Sequence, residues 1–126
     1  MEQQIQSDTP KIFDSDYKFA SIVWAYEPVT TRDLVKLCQE QLEWKRTTTY
    51  TVLKRLCERG IFQTEDSVVT SLLPKEQIQH GESRQFVKRT FGGSLPGFIA
   101  AFLGNETLSE QEAEELKAMI DQHREG

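Results

Sequence analysis

The stretch from Trp44 to Gly60, WKRTTTYTVLKRLCERG, constrains the fold of this chain more than any other. Read as a helix, it gathers Thr49, Val52, Leu53, Leu56 and Cys57 on one side. That i, i+3, i+4 spacing belongs to a face that packs against other elements. Thr47, Thr51 and Lys54 fall opposite, with Thr48 and Arg55 on the flanks, so the outer face is hydroxyls and cations. Lys45, Arg46, Lys54, Arg55 and Arg59 oppose a single acidic residue, Glu58, in a chain of net charge −5. One positive helix face in a negative chain suits a polyanion, and an ordinary solvated face fits the charge equally well. The other elements decide between them.

Their order is informative. Residues 1–11 are polar, lack a period and contain Pro10, as expected of a loose tail. The spacing predicts a helix from about Asp14 to Tyr26, apolar on two sides through Tyr17, Ala20, Trp24 and Phe19, Ile22, Val23, and therefore central. Pro28 stops it, because proline disfavours helical geometry in its predecessor. Val29-Thr30 restarts the pattern, with Thr30 as N-cap and Asp33 in the first turn, and Leu34, Leu37, Cys38 and Leu42 form its buried face. Gly60 ends the basic helix. The β-prone runs 61–64 and 68–72 around Glu65-Asp66-Ser67 read as a hairpin. Three helices and a hairpin, the third helix basic outside, is the order of a winged helix-turn-helix.

Beyond Pro74 the pattern is helical throughout. Lys75 to Phe91 reads as a long helix carrying Ile78, Phe86, Val87 and Phe91, weakened at Gly81 and ended by Gly92-Gly93. Ser94 opens a short apolar helix with Phe98, Ile99, Phe102 and Leu103. Ser109-Glu110-Gln111-Glu112 is a capping box for a last helix lined by Ala113, Leu116 and Ile120. Three such helices hold too little apolar surface for their own core, and they are expected to bury it against a second copy. The expected organisation is a tail (1–11), a winged-helix domain (12–73) and a helical dimerisation domain (74–126). The fold class is mainly α with a small β-hairpin.

Composition bounds the remainder. At 126 residues and 37% hydrophobic content, the apolar share is thin for one spherical core, which favours an interface shared between chains. The longest apolar run, Phe98 to Leu103, is far too short to span a bilayer, and no membrane insertion is expected. MEQQIQSDTP has neither the cationic start nor the apolar core of a signal peptide, so a cytoplasmic location is expected. Cys38 and Cys57 lie on separate helices and are expected as buried thiols, not a disulfide or a metal pair. His80 and His123 have no ligand partner at i+4, and Glu110, Glu112, Glu114 and Glu115 form a solvated face. No cofactor and no catalysis are expected.

The chain from Ile12 onward resembles the penicillinase-repressor family, the winged-helix repressors of the BlaI/MecI/CopY type. The resemblance is carried by Trp24, Val29-Thr30, Trp44, Thr48, Thr51, Arg55-Leu56 and Gly60, and by FGGSLPGFIAAFLGNETLSEQEAEEL, Phe91 to Leu116. It implies a homodimer that binds a palindromic double-stranded DNA operator and represses a resistance or homeostasis operon. Three departures stand out. Lys45 occupies the place where relatives carry Ser or a similar cap. The turn Glu65-Asp66-Ser67 is short and acidic where relatives have glycine and basic residues. The bond matching the Asn-Phe site at which sensor-triggered relatives are cut is Ala101-Phe102, and no C-terminal CxC cluster of the copper-responsive branch is present.

On this reading Arg46 reaches a guanine edge, Thr47 and Thr51 lie at base edges, Thr48, Lys54 and Arg55 meet phosphates, and Lys45 is counted among the DNA-binding residues. Arg55 has an alternative partner in Glu58 at i+3. Tyr50, Trp24 and Trp44 are expected as packing residues. Phe86, Phe91, Phe98, Ile99, Phe102, Leu103, Leu116 and Ile120 are the expected dimer contacts, and a membrane sensor protease is a possible partner through Ala101-Phe102. The rival readings are a winged-helix protein-interaction module that does not bind specific DNA, and a regulator that senses a small molecule through the Phe86, Phe91, Phe98, Phe102 cluster.

Overall fold

In the computed structural model, which describes residues 12 and 14–126, three helices pack around one aromatic core and a small sheet closes its side. The expected tail falls outside the described residues. Helix α1 (Asp14–Tyr26) buries Phe19, Ala20, Ile22 and Val23. Helix α2 (Thr31–Leu42) starts at the predicted cap: Thr30 Oγ1 accepts from the Asp33 amide at 3.1 Å. Its C-terminus turns on Glu43, whose positive φ of 58° is unusual for a residue with a Cβ. Helix α3 (Arg46–Glu58) follows directly and buries Thr49, Val52, Leu53 and Leu56, the predicted inner face.

The sheet is larger than the expected hairpin. Val29–Thr30 forms strand β1, which pairs antiparallel with β3 (Val68–Ser71), and β3 pairs with β2 (Phe62–Glu65), in the order β1-β3-β2. The dipeptide read as a helix start is thus also a strand. An N-cap residue needs extended backbone, and Thr30 at φ −72°, ψ 154° has the geometry to pair with Val68. The turn is tighter than expected, because Glu65 pairs with Val68 and leaves only Asp66 and Ser67. Both have positive φ, 51° and 63°, the type I′ pattern whose twist suits a two-residue hairpin.

Aromatic rings link these layers. Phe19 stacks on Trp44 (5.9 Å between centroids, 8° between planes) and meets Phe62 edge-on at 6.2 Å. Trp24 contacts Phe62 and Tyr17, each at 5.8 Å, and its Nε1 donates to the Leu73 carbonyl at 3.1 Å. Both tryptophans therefore pack as expected, and offset or edge-on pairs of this kind each add about 0.5–1.5 kcal/mol beyond burial. Glu27, beyond the end of α1, holds β3 through its carboxylate, which accepts from Ser71 N at 2.7 Å and Ser71 Oγ at 2.9 Å.

Helix α4 (Lys75–Phe91) ends on Gly92 and Gly93, both with positive φ. Helix α5 (Leu95–Leu103) is capped by Ser94, whose Oγ accepts from Gly97 N. Helix α6 (Glu110–Gln122) is capped by Ser109, whose Oγ accepts from Glu112 N. Only the start of α4 joins the core, through Ile78, and no residue of α5 or α6 is buried.

One polar tie crosses the three-helix core. Arg55 Nε and Nη2 donate to Asp16 Oδ2 and Oδ1 at 3.2 and 2.8 Å. The Asp16 side chain is 2% exposed and that of Arg55 45%. This two-pronged pair raises the Arg55 pKa above its ordinary value, the hydrogen bond to Asp16 being the main cause. The two ends differ in what removal leaves behind. Arg55→Met strands a buried carboxylate and is expected to cost about 3 kcal/mol. Asp16→Ala leaves a guanidinium that reaches water and is expected to cost about 1–2 kcal/mol. Urea unfolding of both variants checks the order, and equal losses would contradict it.

Candidate nucleic-acid interface

Helix α3 is held from inside and open outside. Lys45, Arg46, Thr47, Thr48, Thr51, Lys54 and Arg55 are all exposed. Among the described residues, only Arg55 of these seven is held in an ion pair. Its partner is Asp16 of α1, not Glu58. Lys45 is the N-cap and makes no side-chain cap bond, so the helix starts without the side-chain acceptor that a Ser at that place would supply.

Tyr50 differs from expectation. It is 37% exposed, and the Arg46 guanidinium lies over its ring, 5.6 Å from the centroid. Position 50 falls one residue beyond the buried Thr49, so the helical period swings it from the core toward the start of α2. There it lines a cleft of about 470 Å³ with Thr30, Thr31, Arg32, Val35, Arg46 and Ser67. Arg32 escaped the sequence reading. The signal was a cation in the first turn of a helix, where the dipole disfavours one.

The hairpin turn folds onto this cleft. The Ser67 carbonyl accepts from the Thr31 amide at 2.9 Å, so the short wing closes the first turn of α2. Glu65 and Asp66 stay exposed at its edge. Cations of Arg32, Arg46, Lys45 and Lys54 thus occupy α2 and α3, with the acidic turn beside them.

On the inner side of α3, Thr49 is buried and its hydroxyl has no well-formed hydrogen bond among the described residues. The neighbouring Cys38 thiol is a weak sulfur partner. Burial raises the pKa of Cys38 by more than the Thr49 hydroxyl lowers it. Cys57 is half-buried with its Sγ 3.6 Å from Thr64 Oγ1, and both cysteines are free. Among the described residues no group of His, Cys, Asp or Glu is placed to hold a metal ion, and no helix is long and apolar enough to cross a membrane.

Two helices joined by a three-residue turn, the second presenting hydroxyls and cations and flanked by a short antiparallel sheet, define a winged helix-turn-helix protein. The family model described as penicillinase repressor matches residues 13–122, and the chain belongs to that family. It is similar to the penicillinase repressor of Bacillus licheniformis, 24% identical over 119 residues that make up 91% of this chain and 93% of that one. It is also similar to the methicillin resistance regulatory protein MecI of Staphylococcus aureus, 24% identical over 121 residues, 93% of this chain and 98% of that one. An uncharacterized 16.5 kDa protein of Latilactobacillus sakei is 25% identical over 117 residues.

The two thiols give this face a direct check. In the native protein at neutral pH, iodoacetamide is expected to modify Cys57 well before Cys38, read by peptide mass spectrometry over time. Equal rates would mean that α2 and α3 open readily.

Proposed function

We propose that this chain is a transcriptional repressor that binds a palindromic DNA operator as a homodimer, each copy laying the outer face of α3 in a major groove. The observation that carries this reading is the exposed row of hydroxyls and cations on a helix whose opposite face is locked into the core. Arg46, steered by Tyr50, suits the O6 and N7 acceptors of guanine, and Thr47 and Thr51 suit a base edge or thymine methyl. Lys45, Thr48, Lys54 and Arg32 supply phosphate contacts that set register without reading sequence. Arg55 serves chiefly to fix α3 on α1. One named relative is a penicillinase repressor and the other a methicillin resistance regulatory protein, which favours a resistance operon and a protein that is not an enzyme.

The division into a reading domain (12–73) and a dimerisation domain (74–126) follows the exposure of the C-terminal helices. Phe86, Phe91 and Phe98 meet edge to face at 5.4 to 6.0 Å, with Phe102 beyond Phe98 at 6.1 Å. Yet Phe102 is 68% exposed and Ile120 63%, with Ile99 and Leu116 also open. A second copy would cover these together with Leu103, since one module alone binds its half-site weakly and two on one body raise the effective concentration of the second contact. Ala101-Phe102 lies on α5, within the face a second copy would cover, so a cut there by a protease, including one linked to a membrane sensor, would release DNA by splitting the dimer. A cytoplasmic location belongs to the same proposal, since its target is operator DNA.

A protein-interaction module of the same shape is the second reading, favoured by the exposed Glu65 and Asp66 at the wing. Fluorescence anisotropy against the DNA upstream of its own gene separates the two. Wild type is expected to prefer that duplex over a scrambled one at least tenfold, with affinity falling steeply with salt. Arg46→Ala is expected to lose about 1–3 kcal/mol on the specific duplex alone, and Lys54→Ala to weaken both duplexes and flatten the salt slope by about one. Equal, weak binding of both duplexes by wild type would favour the protein-interaction reading. In the same series Phe102→Asp is expected to give a monomer by analytical ultracentrifugation, and a persistent dimer would place the interface elsewhere.

A further inference from the structure

Helix α4 begins inside the core and leaves it. Ile78 is fully buried and Gly81 is buried, whereas Phe86, little more than one turn further, is 42% exposed. The same first half is tied to the start of α1 by two polar contacts across long sequence separations. Gln79 Nε2 donates to Tyr17 Oη at 2.9 Å, and Glu82 Oε2 accepts from the Ile12 amide at 3.0 Å. Just before the helix, the Leu73 carbonyl accepts from Trp24 Nε1 at 3.1 Å. Ile78, Gln79 and Glu82 share one side of α4, so a single strip of the helix makes both the apolar and the polar attachment.

We propose that this clasp, with Gln79 and Glu82 as positioning residues, sets the spacing between half-sites that the dimer accepts. The inference rests on the operator-binding dimer proposed above and deepens it. Helix α4 is the only covalent route from the reading helices to the exposed C-terminal helices, so its angle to α1 fixes where α3 sits relative to the dimer axis. A helix of this length spans about 25 Å. A pivot of about 10° at its root moves the far end by about 4 Å, more than the 3.4 Å rise of one base pair. Ile78 alone is a greasy pivot. The two hydrogen bonds flanking it resist rotation about that pivot, because their directions are fixed where an apolar contact slides.

The test uses the full chain and duplexes carrying the palindrome upstream of its gene at native spacing, with one base pair inserted at the centre, and as a single half-site. Wild type is expected to lose at least tenfold in affinity on insertion. The double variant Gln79→Ala, Glu82→Ala is expected to lose less than threefold on insertion while binding the half-site like wild type. Glu82→Gln keeps an acceptor for the Ile12 amide and is expected to retain the wild-type penalty. Backbone 15N relaxation supplies a readout free of DNA: α3 and α6 tumble as one body in wild type and separately in the double variant. If the double variant does not fold, Tyr17→Phe, which deletes one acceptor oxygen, is expected to reduce the insertion penalty. A full insertion penalty in the folded double variant, or in Tyr17→Phe where the double variant does not fold, or tolerance of the insertion by wild type, would overturn the clasp and leave operator binding standing. Absence of any preference of wild type for its own duplex would remove operator binding and this inference together.

Discussion

The buried carboxylate of Asp16 is the constraint on which the outward geometry of α3 depends. An unpaired charge in that position is costly enough that the chain must bring a cation to it, and the cation is Arg55, on the third helix. The pair therefore fixes both the rotation of α3 about its own axis and its height along α1. Apolar contacts from Val52, Leu53 and Leu56 would tolerate a small roll of the helix; two parallel N–H···O bonds to one carboxylate do not. Everything that α3 presents outward inherits that setting.

Much of this could be read in the sequence, for physical reasons. The 3.6-residue period of α3 separated Thr49, Val52, Leu53 and Leu56 from the hydroxyl and cation face, because burial of apolar area is the dominant local signal. Caps at Thr30, Ser94 and Ser109 were legible because one short polar side chain satisfies an amide close to it in the chain. What stayed hidden depends on long separations or on one residue serving two elements. Arg55 looked like a phosphate ligand because Asp16 lies 39 residues away. Val29-Thr30 looked like a helix start because its strand partner arrives only after two more helices. Glu27 and Ser71, and Ile12 and Glu82, meet across still longer loops that no local pattern announces.

The two halves of the chain solve the burial problem differently. The first half closes its core with aromatic rings and a three-stranded sheet, and it ties Asp16 to Arg55 and Glu27 to Ser71 within the same chain. The second half keeps its phenylalanines in contact with one another and leaves Leu95, Phe102 and Ile120 in water. Apolar area of that size has a free-energy incentive to associate at roughly 25 cal/mol per Å² covered. In the proposed dimer the stability of the C-terminal helices would be tied to protein concentration in a way that the winged-helix core is not.

The outer face of α3 has a consequence for how such a chain diversifies. Thr47, Thr48 and Thr51 carry no side-chain hydrogen bond among the described residues and bury nothing of the core, so exchanging them taxes neither packing nor polar satisfaction. Arg55, one turn further along the same helix, has no such freedom. A single helix thus contains positions where new chemistry can be tried at almost no thermodynamic risk, set beside one where any change is punished at once. If α3 reads DNA as proposed, that separation would let one scaffold take up different recognition sequences while the frame that aims them stays put.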